Sequence, residues 1–239
     1  MKIAIGTLAR DSEEDIDFYQ DFIDDIREVY KVDTFVVEND SKDGTKELLS
    51  EIADNFISED LGLPKFEGSP ASFERATLMC QYRNKLKDLI FSKDDYDIVI
   101  FSDIDLLQWP DISLIKQNIE RVSKDSSIGA ITSNGLSWFL DSYIYYDIWS
   151  LVINGKIQNH KIWSEFDIVN TEVDSAFGGL AIYNGQAIKD IEYKPINLYG
   201  YYCPWHPLER PACEHCGFNL ELRKKGYRIL IDKAQILYR

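Results

Sequence analysis

An apolar run that ends in two carboxylates, Tyr96-Asp97-Ile98-Val99-Ile100-Phe101-Ser102-Asp103-Ile104-Asp105, constrains this chain more than any other segment. Residues 98–101 are uninterruptedly apolar and rich in β-branched side chains, which predicts a strand buried on both faces in a parallel sheet. Such a strand needs helices above and below it, so the neighbouring chain has to alternate strand and helix. Asp103 and Asp105 fall where the strand should end. Strand residues two apart point the same way, which predicts both carboxylates side by side at the carboxyl edge of the sheet. Close carboxylates repel each other unless a cation lies between them, and that edge is where open α/β sheets bind ligands. A hard divalent cation held there can in turn hold a diphosphate. One Asp capping a turn and one solvated Asp would leave the same trace, so the spacing alone keeps both readings open.

The first half of the chain alternates as required. Residues 2–6 read as a strand. Ser12 reads as the N-cap of a helix carrying Ile16, Tyr19, Ile23, Ile26 and Tyr30 at helical spacing. A strand over 34–37 and a helix over 45–56 follow, the latter with Leu48, Leu49 and Ile52 inward. Residues 64–70 read as a loop, 73–91 as a long helix, 110–124 as a helix with Pro110 near its start, and 128–133 as a strand. This order implies a mostly parallel sheet with right-handed crossovers.

The second half has weaker periodicity. Residues 138–163 are crowded with aromatics, among them Phe139, Tyr143, Tyr145, Tyr146 and Trp149. They form either plain core or an acceptor platform, since sugars favour aromatic faces. Gly178-Gly179 precedes a strand over 180–183, either as a tight turn or as a place for close backbone approach to a ligand. Residues 199–211 read as a loop, 214–225 as a helix and 228–231 as a strand. No Gly/Ser/Pro-rich linker divides the 239 residues, which predicts a single domain over 1–239.

The charge balance narrows the partners. With 26 basic against 41 acidic residues the formal net charge is −15, and the only basic cluster is Arg223-Lys224-Lys225. Nucleic-acid binding and polybasic membrane attachment are both disfavoured. A phosphate-bearing substrate would be repelled unless a bound cation and a few placed arginines offset the field. No apolar stretch approaches the roughly 20 residues needed to cross a bilayer. Met1 to Gly6 reads as a first strand, not a signal peptide, and four cysteines suit reduced thiols; both predict a cytoplasmic protein.

A second polar strand end, Val36-Val37-Glu38-Asn39-Asp40-Ser41-Lys42-Asp43-Gly44-Thr45, places Glu38 at the same edge, as a ligand carboxylate or as part of an ordinary capped turn. This segment resembles the Val-Val-Asp-Asp-Gly-Ser-x-Asp-Gly-Thr signature of nucleotide-sugar-dependent glycosyltransferases of the GT-A fold, family 2 in type. Further segments are similar to that family in its order: Gly6-Thr7-Leu8-Ala9-Arg10, Tyr82-Arg83-Asn84, Asp103-Ile104-Asp105, and residues 213–229, which resemble the helix closing its catalytic core. The Glu-Asn-Asp-Ser variant is closest to capsule-type mannosyltransferases and small viral capsid-decorating enzymes.

The resemblance implies a Rossmann-like, mostly parallel sheet flanked by helices, with a nucleotide-binding half (1–135) and an acceptor-binding and catalytic half (136–239). It implies Thr7, Arg10 and Glu38 at the nucleoside, Arg83 at the phosphates, and Gly178 and Gly179 at the donor sugar. Asp103 and Asp105 would hold Mn²⁺ or Mg²⁺. Where the family has Glu-Asp, this chain has Glu214-His215. Glu214 is the expected catalytic base and His215 a third metal ligand, with the reverse assignment of the base open. The expected substrates are a nucleoside diphosphate sugar, UDP-linked or GDP-mannose, and a hydroxyl on a glycan or glycoprotein. A metal-dependent nucleotidyltransferase and a non-catalytic nucleotide-sugar-binding module are the alternatives. Cys203-x-x-His206 and Cys213-x-x-Cys216 also have the spacing of a zinc site, against a reading as buried inert thiols.

Overall fold

A computed structural model describes residues 1–63, 72–106, 110–139, 142–158, 171–203 and 206–238, without the side chains of 137–139, 142–144, 171, 200–203, 206–208 and 238. The expected loop over 64–70 lies outside the described residues.

The strand over Ile98–Asp103 (β4) sits in the middle of the main sheet, as its apolar run requires. Around it lie β1 (Lys2–Ala9), β2 (Lys31–Asn39), β3 (Asn55–Glu59), β5 (Ile128–Phe139), β6 (Ser142–Tyr145), β9 (Thr171–Val173), β10 (Leu180–Asn184) and β13 (Arg228–Tyr238). The order is β3-β2-β1-β4-β10-β5-β13-β9, with β6 on β5. β3, β2, β1 and β4 pair in parallel. β10 is antiparallel to both β4 and β5, which leaves β5, and β13 parallel to it, running with β4. The sheet is therefore mostly parallel with an antiparallel wedge. A smaller sheet, β12-β11-β8-β7, is built from Val152–Ile153 (β7), Lys156–Ile157 (β8), Asn197–Cys203 (β11) and His206–Pro211 (β12).

Both faces of the main sheet are covered. Ile98 and Ile100 join one core cluster with Ile16, Tyr19 and Ile23 of α1 (Ile16–Arg27), Leu49 of α2 (Thr45–Ile52) and Ile115 and Ile119 of α4 (Ile112–Lys124). Val99 and Phe101 join the other with Leu86 and Ile90 of α3 (Phe73–Lys93) and Phe218 and Leu222 of α6 (Glu214–Lys224). The period of two in a strand sends alternate residues to opposite helical layers, and this parity decides which edge residues can reach a ligand. A short helix, α5 (Gly185–Ile188), follows β10.

Several boundaries differ from the sequence expectation. The helix read over 45–56 ends at Ile52, and Asn55–Glu59 becomes β3, because parallel pairing with β2 extends the sheet. Leu48 faces solvent at 38% exposure, whereas Leu49 is fully buried. Ser12 makes no side-chain cap; a 3₁₀ turn over Glu13–Asp15 precedes α1. The stretch read as a loop over 199–211 forms most of an antiparallel β11–β12 hairpin.

Candidate functional site

The carboxyl ends of β1 and β4 open into a cavity of about 430 Å³, lined also by residues of α3, the β6–β7 connection and the start of α6. Leu8, Arg10, Asp103, Asp105, Arg83, Asp147, Glu214 and His215 all face it. Ligand cavities of small molecules fall in this size range.

Parity explains the arrangement on β4. Val99, Phe101 and Asp103 point to the α3 layer, and there Asp103 meets Arg83. The Arg83 guanidinium is 2% exposed and donates from Nη2 to Asp103 Oδ1 at 3.0 Å, while its Nε lies 3.7 Å from Glu214 Oε1. Its plane lies over the Phe177 ring at 5.1 Å. Burial works against its charge, but the Asp103 and Glu214 carboxylates outweigh that and hold its pKa above the ordinary value. Nη1 has no hydrogen-bond partner among the described residues, so a buried donor is left over at the cavity wall. The strand ends at Asp103, so the expected i, i+2 strand pairing does not hold. Asp105 sits in a 3₁₀ turn, Ile104–Leu106, which still delivers it to the same cavity.

Glu214 and His215 open α6, with Cys213 at the N-cap. The His215 ring stacks on Phe177 at 3.8 Å between centroids and its Nε2 lies 3.5 Å from Glu214 Oε1. Burial, and then the Arg83 charge, pushes its pKa well below the ordinary value, so the ring is neutral at pH 7. Neither ring nitrogen has a hydrogen-bond partner among the described residues. The expected three-residue metal set of Asp103, Asp105 and His215 is nonetheless not preformed: among the described residues no three His, Cys, Asp or Glu side chains are gathered to hold an ion. The two carboxylates suit a hard cation whose remaining positions come from substrate phosphate, the usual arrangement for Mg²⁺.

Other expected residues sit elsewhere. Thr7 shares parity with Ile3, Ile5 and Ala9, so it points into the α1 layer; it is fully buried and its hydroxyl pairs with Ser102 Oγ at 3.0 Å. Glu38 is likewise fully buried, accepting from the Ser41 N–H at 2.9 Å and from the Ser58 hydroxyl on β3, which is the capped-turn reading. Neither lines the cavity. Arg10 does, while donating to the Leu63 carbonyl at 2.7 Å. Gly178 and Gly179 have φ of 66° and 86°, and a Cβ would lie 2.2 Å from the Ser133 carbonyl oxygen or 2.2 Å from Leu106 Cδ1. The protein's own packing therefore demands both glycines, without any ligand.

Of the expected zinc ligands, the Cys203 and His206 side chains lie outside the described residues. Cys213 and Cys216 are buried with their sulfurs 4.0 Å apart.

Asp147 is a cavity carboxylate that the sequence motifs do not mark. It follows β6 in the aromatic region, where only bulky side chains drew attention, and no spacing marked it. Burial raises its carboxyl to about 7, with the Ser150 and Gly178 hydrogen bonds opposing and the Asp103 and Glu214 charges adding. Trp149 lines the cavity two residues on, beneath the Arg75 guanidinium at 5.6 Å.

No family model matches the chain. Among curated proteins, a candidate oxidoreductase, YteT of Bacillus subtilis (strain 168), is 29% identical over 107 residues, covering 42% of this chain and 22% of that one. Residues 10–15 after β1 hold no glycine, the nearest being Gly6 within the strand, so the Gly-x-Gly-x-x-Gly phosphate cradle of dinucleotide enzymes is lacking there. Among solved structures, the Pyrobaculum calidifontis mannosyltransferase PcManGT, with GDP-mannose and Mn²⁺, superposes at a TM-score of 0.53 and 12% identity, over 99% of this chain and 56% of that one. Staphylococcus aureus TarS (1–349) with UDP-GlcNAc matches at 0.53 and 13%, over 100% and 58%. Glucosyl-3-phosphoglycerate synthase of Mycobacterium tuberculosis, with Mn²⁺, UDP and phosphoglyceric acid, matches at 0.54 and 12%, over 99% and 69%. The chain thus spans between about half and two thirds of these structures. On these superpositions, the chain has the GT-A fold.

Proposed function

We propose that this protein transfers a sugar from a nucleoside diphosphate sugar to an acceptor hydroxyl, with Mn²⁺ or Mg²⁺ held by Asp103 and Asp105. The observation that carries this reading is Arg83: a buried guanidinium, fixed by the Asp103 and Glu214 carboxylates, that keeps an unused donor at a cavity also lined by Asp105. In a chain of net charge −15, such a centre is the local device that admits a diphosphate. Arg10 is placed to assist from the β1 edge.

The bound cation would neutralise charge on the departing diphosphate and so make it a better leaving group. Arg83 orients the phosphates, and Asp103, which accepts from its guanidinium, would also help to hold the cation. Glu214 fixes Arg83 from the opposite side, and the neutral His215 next to it offers an uncharged nitrogen to the donor or acceptor. Phe177, Tyr146 and Trp149 give the cavity the aromatic wall that suits a pyranose ring. A UDP-sugar or GDP-mannose is the donor class, and a glycan or glycoprotein hydroxyl the acceptor class. No helix among the described residues is long and apolar enough to cross a membrane.

Thermal shift with UDP-, GDP- and CDP-sugars, each with and without Mn²⁺, tests the reading. One nucleotide class should raise the melting temperature in a metal-dependent way, and Asp105→Asn should abolish the metal dependence. A wild-type protein unmoved by every donor, or an Asp105→Asn variant with full metal-linked stabilisation, overturns it.

A further inference from the structure

The acidic side chains around the cavity are not equivalent. Asp103 and Glu214 share Arg83, whereas Asp147 has no cation partner among the described residues. Its two oxygens are also treated differently. Oδ2 accepts the Gly178 N–H at 2.9 Å and the Ser150 hydroxyl at 2.5 Å. Oδ1 has no partner among the described residues, and it is not among the unpartnered atoms sealed from solvent. It is the oxygen left to the cavity that Asp147 lines.

The clamp on Oδ2 is built into the backbone. Gly178 reaches its position only at φ 66°, against the Ser133 carbonyl, and the next carbonyl, of Gly179, accepts the Asp103 N–H at 2.8 Å. One turn thus fixes the Asp147 carboxylate and the end of β4 relative to each other. The ionisable groups around Asp147 are Tyr145 and Tyr146 on its own segment, Asp103 from β4, and Cys213 and Glu214 from the start of α6. None is a cation. A carboxylate gripped by one oxygen, with the other turned to open space and no ion-pair partner among the described residues, is arranged to take a proton.

We propose that Asp147 is the catalytic base of the transfer, its Oδ1 accepting the hydrogen bond and then the proton of the acceptor hydroxyl. This rests on the transferase reading above and assigns a residue within it. The acceptor oxygen forms its bond to the anomeric carbon as the bond from that carbon to the diphosphate breaks. The electron pair leaves on the diphosphate oxygen, and the hydroxyl proton moves to Oδ1. Glu214, expected from sequence to be the base, acts instead as the positioning residue that fixes Arg83.

Water serves as the acceptor probe, read as nucleotide release from UDP-glucose, UDP-N-acetylglucosamine and GDP-mannose with Mn²⁺. Asp147→Asn keeps an amide oxygen for both clamping hydrogen bonds. It should bind Mn²⁺ with UDP or GDP within about two-fold of wild type by calorimetry, yet release nucleotide about 100-fold more slowly or worse. Asp147→Ala should be equally slow and recover in part when formate, a small carboxylate, is added. An Asp147→Asn variant that turns over within about five-fold of wild type overturns the assignment. So does one that loses nucleotide binding together with turnover, or an alanine variant deaf to formate. Wild-type protein that neither binds nor cleaves any donor overturns the transferase reading as well, a result distinct from all of these.

Discussion

Replacing Asp147 by Asn should make the metal-free protein more stable at alkaline pH. The folded chain holds this carboxyl at about 7, against an ordinary 3.8, chiefly because burial penalises the charge. The difference between those values is worth about 4 kcal/mol when the group is fully ionised. Solvent reaches Oδ1, which screens part of the penalty, so about 2 kcal/mol is the realistic figure. The sign follows from proton affinity: the folded state binds the proton more tightly than the unfolded chain does. Between about pH 4 and pH 7 the unfolded chain therefore carries fewer protons at this site, and stability falls as pH rises through that window. Above pH 7 the whole cost is present. Asparagine keeps both clamping hydrogen bonds and carries no charge, so it escapes the cost. In EDTA at pH 8 the variant should melt about 4–8 °C above wild type, a gap that shrinks by pH 5. Equal melting temperatures at pH 8, or a gap that widens on acidification, would refute the argument that a buried uncompensated charge sits at Asp147.

Three further outcomes follow from the geometry. Arg83→Met strands Glu214, 6% exposed, without its cation, so it should cost about 3–5 kcal/mol and remove nucleotide-linked stabilisation; urea melts with and without UDP or GDP check both. Gly178→Ala puts a Cβ 2.2 Å from the Ser133 carbonyl oxygen at φ 66°, and should lower stability by about 2 kcal/mol or more in the same melts while slowing turnover. Thr7→Val loses the hydroxyl pair with Ser102 and the contact with the buried Tyr19 hydroxyl; calorimetry should find donor affinity unchanged, with a stability loss of about 1 kcal/mol.

The fold was largely legible because its strongest strands are buried on both faces, and an apolar β-branched run such as 98–101 has few other uses. β3 was hidden because Asn55–Glu59 has no fully buried residue and owes its form to pairing with β2. The antiparallel direction of β10 left no mark either, since Leu180–Asn184 reads alike in both directions. Within the site, motif order picks out Arg83, Asp103, Asp105, Glu214 and His215, and all five line one cavity. Thr7 and Glu38 were named from motif position, yet their parity with Ile5 and Val36 turns both into the layer beneath the edge. Counting by twos along each strand would have found that. Asp147 was out of reach, because its importance comes from a turn thirty-one residues away that grips one of its oxygens.

The wedge of β10 between β4 and β5 bears on how the chain is made. Residues 98–103 and 128–139 become bridged only when 180–184 arrive and pair with both. During synthesis, therefore, β4 leaves the ribosome with one side unpaired and stays so for some eighty residues of further translation. Pairings this distant along the chain close slowly. The nascent protein is consequently a client for chaperones that shield bare strands, and truncations just upstream of Leu180 should yield insoluble product, not a smaller working unit.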